Sequence, residues 1–130
     1  MPRPRVLVVD DDPRLVHVVS MYLGIEGFEV DTAADGEEAL GRIEAALPDV
    51  VVLDVMMAGM DGLEACRRIK RNPATAHVPV ILFTALSRDE DARDGRAAGA
   101  DQFISKPFSL VGLGGAIRSL VGGAGVSAAV

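Results

Sequence analysis

The feature that most limits what this chain can fold into is the run Val50-Val51-Val52-Leu53-Asp54. Four consecutive apolar residues are too few for a buried helix and suit a strand covered on both faces, as in a parallel sheet. The run ends in an acid. In open α/β sheets, ligands bind in the crevice outside the carboxyl ends of the strands, so Asp54 is the first candidate for chemistry.

Three other runs end in polar residues. Val6 to Val9 leads into Asp10, Asp11 and Asp12; Val80 to Phe83 leads into Thr84; and Phe103 to Ser105 leads into Lys106. Carboxylates, a hydroxyl and an amine therefore converge on one rim. Such a set can hold a hard divalent cation on oxygen ligands and accept a phosphoryl group.

The intervening segments read as helices. Pro13 suits the first helical position behind a capping Asp12, with Leu15, Val18, Val19, Tyr22 and Leu23 inward and Gly24 to Gly27 as the stop. A strand over Phe28 to Ala33 follows, then a helix opened by Asp35 and Glu38 at capping-box spacing, with Ala39, Leu40 and Ile43 inward, ending before Pro48. After Asp54 a loop rich in small residues leads to a helix over about Leu63 to Arg71. Leu63, Cys66 and Ile69 form its inner stripe, and Glu64, Arg67, Arg68, Lys70 and Arg71 face solvent.

Ser87 and Glu90 form a further capping box, opening a highly charged helix that should be the least stable. A strand over Ala100 to Ser105 precedes a last helix capped by Ser109, with Leu110, Leu113, Ile117, Leu120 and Val121 inward. Alternation of strand and helix with short connections predicts an α/β fold: a flavodoxin-like five-stranded parallel sheet, order 2-1-3-4-5, with five helices on both faces. Residues 1–121 are expected to form one domain, and 122–130 a flexible tail or the start of a linker.

Size and charge narrow the function. A chain of 130 residues buries roughly two-thirds of its unfolded surface, so no disulfide or structural metal is needed. The net charge of -6 argues against direct nucleic-acid binding. Cys66, the single cysteine, allows no intrachain disulfide, and with no signal-like segment the expected location is cytoplasmic. The weakly charged stretch from Leu110 to Val130 carries Arg118 and several glycines and is not expected to enter a membrane.

Taken together, these residues resemble the receiver domain of two-component response regulators, from about Arg5 to Val121. Asp10-Asp11 resembles the family's acidic pair, Val-Leu-Asp54 its phosphoacceptor, Met-Asp61-Gly62 the loop that follows, Phe-Thr84-Ala85 its switch hydroxyl, and Lys106-Pro107-Phe108 its lysine-proline motif. The resemblance implies that Asp54 takes a phosphoryl group from a histidine kinase, a histidine phosphotransfer protein or a small donor such as acetyl phosphate. It implies Mg²⁺ held by Asp11, Asp54 and the backbone carbonyl of Met56, with Asp10 acting through water. Lys106 would pair with the phosphoryl oxygens, Thr84 would donate to them, and Phe103 would turn as the switch aromatic, reshaping the surface of helix four, strand five and helix five. A downstream protein target or fused output domain would read that change, and a phosphorylation-dependent homodimer is allowed.

Three positions depart from the family pattern. Ala58 stands where proline is usual. Met56 and Leu86 are apolar where rapidly self-hydrolysing members often carry polar groups, which implies slow self-dephosphorylation. The resemblance as a whole implies a regulatory rather than an enzymatic role. Two other classes compete. A phosphohydrolase of the haloacid-dehalogenase type would use Asp10 and Asp12 as its Asp-x-Asp, but Arg14 stands where that family usually has Thr or Val. A flavin-mononucleotide module would need a hydroxyl-rich phosphate loop. The remaining polar residues read as structural: Cys66 as a small core residue, His17 and His77 as surface or half-buried side chains.

Overall fold

A computed structural model of the chain describes residues 3–84, 89–105 and 109–121, without the side chains of Thr84 and 89–92. Its elements alternate as β1 (Arg5–Val9), α1 (Pro13–Ile25), β2 (Glu29–Ala33), α2 (Gly36–Ala45), β3 (Val50–Asp54), α3 (Gly62–Arg71), β4 (Val80–Thr84), α4 (Asp89–Ala97), β5 (Gln102–Ser105) and α5 (Leu110–Val121). All strand pairs are parallel, and the order is β2-β1-β3-β4-β5, as the sequence predicts. The three central strands are the apolar runs. A strand with neighbours on both edges and helices on both faces has no polar face to offer.

Strand alternation divides the core in two. Leu7, Val9, Val51, Leu53, Val80 and Leu82 point to the face covered by α2 and α3. Val6, Val8, Val50, Val52, Ile81 and Phe83 point to the face where Val19 and Leu23 of α1 meet Leu113 and Ile117 of α5. The period of two in each strand sets this division.

The caps follow the sequence reading. Asp12 Oδ1 accepts from Arg14 N–H at 3.0 Å, Asp35 Oδ1 from Glu38 N–H at 2.8 Å and Ser109 Oγ from Gly112 N–H at 2.8 Å. Glu38 returns the favour by accepting from Ala34 N–H at 2.8 Å. Gly27 and Gly99 follow α1 and α4 at φ 99°, in the left-handed region that suits glycine behind a helix. Ser87, expected to cap α4, lies outside the described residues.

Four details differ from the sequence reading. Val18 is 49 % exposed rather than inward, and with Met21 and Ile25 it forms an apolar stripe on the outside of α1. That helix is apolar on almost every side, so periodicity alone could not choose its buried face. Lys70 does not face solvent: its Nζ donates to the carbonyls of Ala76 and Val78 and to Asp101. Strand β2 starts at Glu29, one residue late, with Phe28 buried ahead of it. β5 starts at Gln102, because Ala100 N–H closes onto the Gly95 carbonyl after α4.

Candidate functional site

The sheet's order reverses between β1 and β3, whose chains leave the core side by side with Val9 opposite Leu53. The next residue of β1's exit is Asp10, and Asp54 closes β3. Both are buried, at 2 % and 4 % exposure, whereas Asp11 is exposed at the rim. One carboxylate oxygen from each of Asp10, Asp11 and Asp54 lies within 4.8 Å of the others. The structure thus brings together the three acids that the sequence singled out, at the switch point of the sheet.

Backbone amides orient the cluster. Asp12 N–H donates to Asp10 Oδ1 at 2.9 Å and Met56 N–H to Asp54 Oδ1 at 3.2 Å. Ala58 N–H reaches Asp11 Oδ2 at 3.4 Å. A proline at 58 would have no N–H to offer, so the departure at this position supplies a donor to the exposed acid. Three carboxylates at this spacing repel one another, and an all-oxygen donor set with one solvent-facing member fits a hard divalent cation that retains water. Asp12 is exposed and serves as the α1 cap.

The loop after Asp54 is anchored at both ends. Val55 N–H donates to the Phe83 carbonyl at 3.1 Å, and Gly62 N–H returns to the Val55 carbonyl at 2.9 Å. A Cβ on Gly62 would lie 2.0 Å from the Asp54 carbonyl oxygen and 2.7 Å from its carbon. Only glycine lets α3 begin directly against the end of β3. Asp61 caps that helix through Glu64 N–H at 2.8 Å. The sequence marks Met-Asp61-Gly62 as a loop motif without giving the reason for its glycine; the requirement comes from the backbone of Asp54 and Val55.

Around this centre, Thr84 closes β4 in register with Ser105 of β5, and Lys106 follows Ser105 directly in sequence. Lys106, Pro107, Phe108, Ala85 and Leu86 lie outside the described residues, as does the Thr84 side chain. Phe103 is half-buried opposite Leu82 and packs onto the α2–α3 side of the core. It also lines a cleft of about 560 Å³ with Val55, Met57, Leu63 and Asp94, beside the loop after Asp54. Met56 is 58 % exposed at the mouth of the site. Cys66 is buried and His17 and His77 are exposed, in keeping with structural roles.

Comparison with known proteins gives one consistent result. The family described as response regulator receiver domain matches residues 6–118. Response regulator PleD of Caulobacter vibrioides is 46% identical over 116 residues, covering 89% of this chain and 26% of that protein. The phosphate regulon transcriptional regulatory protein PhoB of Rhizobium meliloti is 38% identical over 118 residues, covering 91% of this chain and 52% of that protein. The chain therefore spans between a quarter and about half the length of these curated relatives. Among solved structures, a putative response regulator from Chloroflexus aurantiacus superposes with a TM-score of 0.88 at 33% identity, covering 92% of this chain and 98% of that one. The chemotaxis protein CheY4 of Vibrio cholerae gives 0.87 at 33% identity, covering 92% and 99%.

Proposed function

The chain belongs to the response regulator receiver family of two-component signalling, and from that membership we propose that Asp54 is its phosphoacceptor. The observation that carries the assignment is the convergence of Asp10, Asp11 and Asp54 on one rim, with Asp54 buried at the end of the central strand. A carboxylate oxygen of Asp54 attacks phosphorus in line. The bond from phosphorus to the donor imidazole nitrogen breaks as the new P–O bond forms, and the leaving imidazole takes up a proton.

Asp10, Asp11, Asp54 and the Met56 carbonyl are the groups that would hold Mg²⁺, which when bound neutralises charge on the transferring group. The amides of Asp12 and Met56 keep Asp10 and Asp54 oriented. Lys106 supplies a compact cation to the phosphoryl oxygens. Thr84 donates to the same oxygens from the end of β4. Phe103 responds to Thr84 and alters the α4, β5 and α5 surface, which a protein target or an output domain reads. The donor is a histidine kinase or a histidine phosphotransfer protein, and the phosphorylated form is able to pair with a second copy. Residues 1–121 carry this switch.

Self-dephosphorylation is slow on this reading, because Met56 presents an exposed apolar side chain that cannot orient a water, and Leu86 is apolar as well. A phosphoryl lifetime of only seconds, with Mg²⁺ and no phosphatase, would reject it. The assignment of Asp54 is tested by intact mass after incubation with acetyl phosphate and Mg²⁺. One added phosphoryl group, absent without Mg²⁺ and absent from Asp54→Ala, is expected. No gain from acetyl phosphate or from a phosphorylated histidine donor would overturn the assignment.

A further inference from the structure

Helix α4 carries a glycine in its interior, where glycine destabilises a helix relative to alanine. Gly95 is buried, unlike its described neighbours Arg93, Asp94 and Arg96, and it occurs at an ordinary helical φ, so no turn requires it. What requires it is a ring. A Cβ built on Gly95 would stand 2.8 Å from Phe103 Cδ2, 3.3 Å from Phe103 Cε2 and 3.3 Å from Leu82 Cδ1. The missing side chain is a slot into which the Phe103 ring lies against the backbone of α4.

Among the described residues, that slot holds the ring from one side. On the other, Phe103 borders the cleft beside Val55, Met57 and Leu63, which has a volume of about 560 Å³. A half-buried ring with close packing on one flank and open space on the other has somewhere to go. Leu82, the cross-strand partner of Phe103, lines the same slot through its Cδ1. The Gly95 carbonyl is also committed, accepting from Ala100 N–H at 3.1 Å in the turn that leads into β5. Gly95 therefore faces the aromatic where a side chain would stand and holds the turn before β5 through its carbonyl.

We propose that Gly95 is a positioning residue that seats the Phe103 ring in the unphosphorylated state and so sets how readily the receiver is phosphorylated. The proposal rests on Phe103 being the moving aromatic of the switch. A methyl group at 95 fills the seat and destabilises the resting arrangement alone, so the balance shifts towards the arrangement in which the ring has left.

The test uses the full chain as four proteins: the parent, Gly95→Ala, Phe103→Ala and the double variant. Two readouts are taken: melting temperature, and the initial rate of phosphoryl uptake from acetyl phosphate with Mg²⁺ by intact mass. In the Phe103→Ala background the alanine at 95 meets only the flexible end of Leu82, at 3.3 Å, and a small shift of that side chain lets it raise the melting temperature through helix propensity. In the parent background it fails to do so and displaces the Phe103 ring resonances in the NMR spectrum. Uptake by Gly95→Ala is expected to be faster than the parent by roughly threefold or more, a shift that simple loss of stability would not produce. Equal effects of Gly95→Ala on melting in both backgrounds, or uptake unchanged or slower, would overturn the seat. Absence of uptake by the parent itself would instead overturn the phosphoacceptor assignment, and the melting and NMR comparison would still decide whether Gly95 seats the ring.

Discussion

Lys70 Nζ and Asp101 Oδ2 lie 2.9 Å apart, joining the last turn of α3 to the residue that precedes β5. The same carboxylate oxygen accepts from Val80 N–H at 2.8 Å, at the start of β4. The ammonium spends its other protons on the Val78 carbonyl at 2.7 Å and the Ala76 carbonyl at 3.3 Å. Three segments at the amino end of the sheet, opposite the acidic site, are thus tied by one side chain that is 17 % exposed.

Lys70→Met should therefore destabilise the fold without touching its chemistry. The ion pair contributes little on its own, since Asp101 is 37 % exposed and screened by solvent. The larger part is the two carbonyls left with a lost donor, which puts the expected loss at about 1–2 kcal/mol in urea unfolding. Phosphoryl uptake should be unchanged. A loss below about 0.3 kcal/mol would mean that water replaces the ammonium freely.

Gly62→Ala should be far more damaging. The added methyl would meet the carbonyl oxygen and carbon of Asp54 and the Cα of Val55, all backbone atoms that cannot rotate away. Either α3 or the end of β3 must shift, at an expected cost of about 3 kcal/mol or more. Phosphoryl uptake should fall even in the fraction that remains folded, because the displaced backbone is that of Asp54. Folded Gly62→Ala with parental uptake would show that the loop gives way instead.

These two residues mark the limit of what was legible beforehand. The three central strands were legible because a strand buried on both faces has to be apolar throughout, and the acids because each stands where such a run stops. The roles of Gly62, Gly95 and Lys70 were not, since each answers to an atom that is remote in sequence or belongs to another element: the Asp54 carbonyl, the Phe103 ring and the Asp101 carboxylate. The buried face of α1 was misjudged at Val18 for a related reason. Only the sheet chooses among the sides of a helix that is apolar all round.

Cys66 gives a pH-dependent prediction. Burial pushes its thiol up to about 11, and its Sγ lies 3.5 Å from the Ala98 carbonyl as a donor. The folded state thus holds this proton more tightly than the unfolded chain, whose thiol ionises near 9. Stability is unaffected below that value and falls as pH rises between 9 and 11, by at most about 2–3 kcal/mol. Cys66→Ala should remove this part of the alkaline decline, after subtracting its own packing cost. At pH 8 the thiol should resist alkylation until urea unfolds the chain; rapid labelling of the native protein would contradict the assignment of Cys66 as an inert core residue.

The acidic cluster should cost stability when no cation is bound. Asp11 is the exposed member, and its one described hydrogen bond, from Ala58 N–H at 3.4 Å, is long. Asn at this position keeps the shape and an acceptor oxygen while removing one of three mutually repelling charges. In chelator, Asp11→Asn should therefore be more stable than the parent, by about 0.5–1 kcal/mol. Added Mg²⁺ should reverse the order: it binds the folded parent and raises its melting temperature by mass action, whereas the variant has lost a ligand and gains little. The melting temperatures of the two proteins should cross as Mg²⁺ is titrated. A variant less stable than the parent in chelator would show that the amides around the cluster already offset the repulsion, and that a cation is not needed to relieve it.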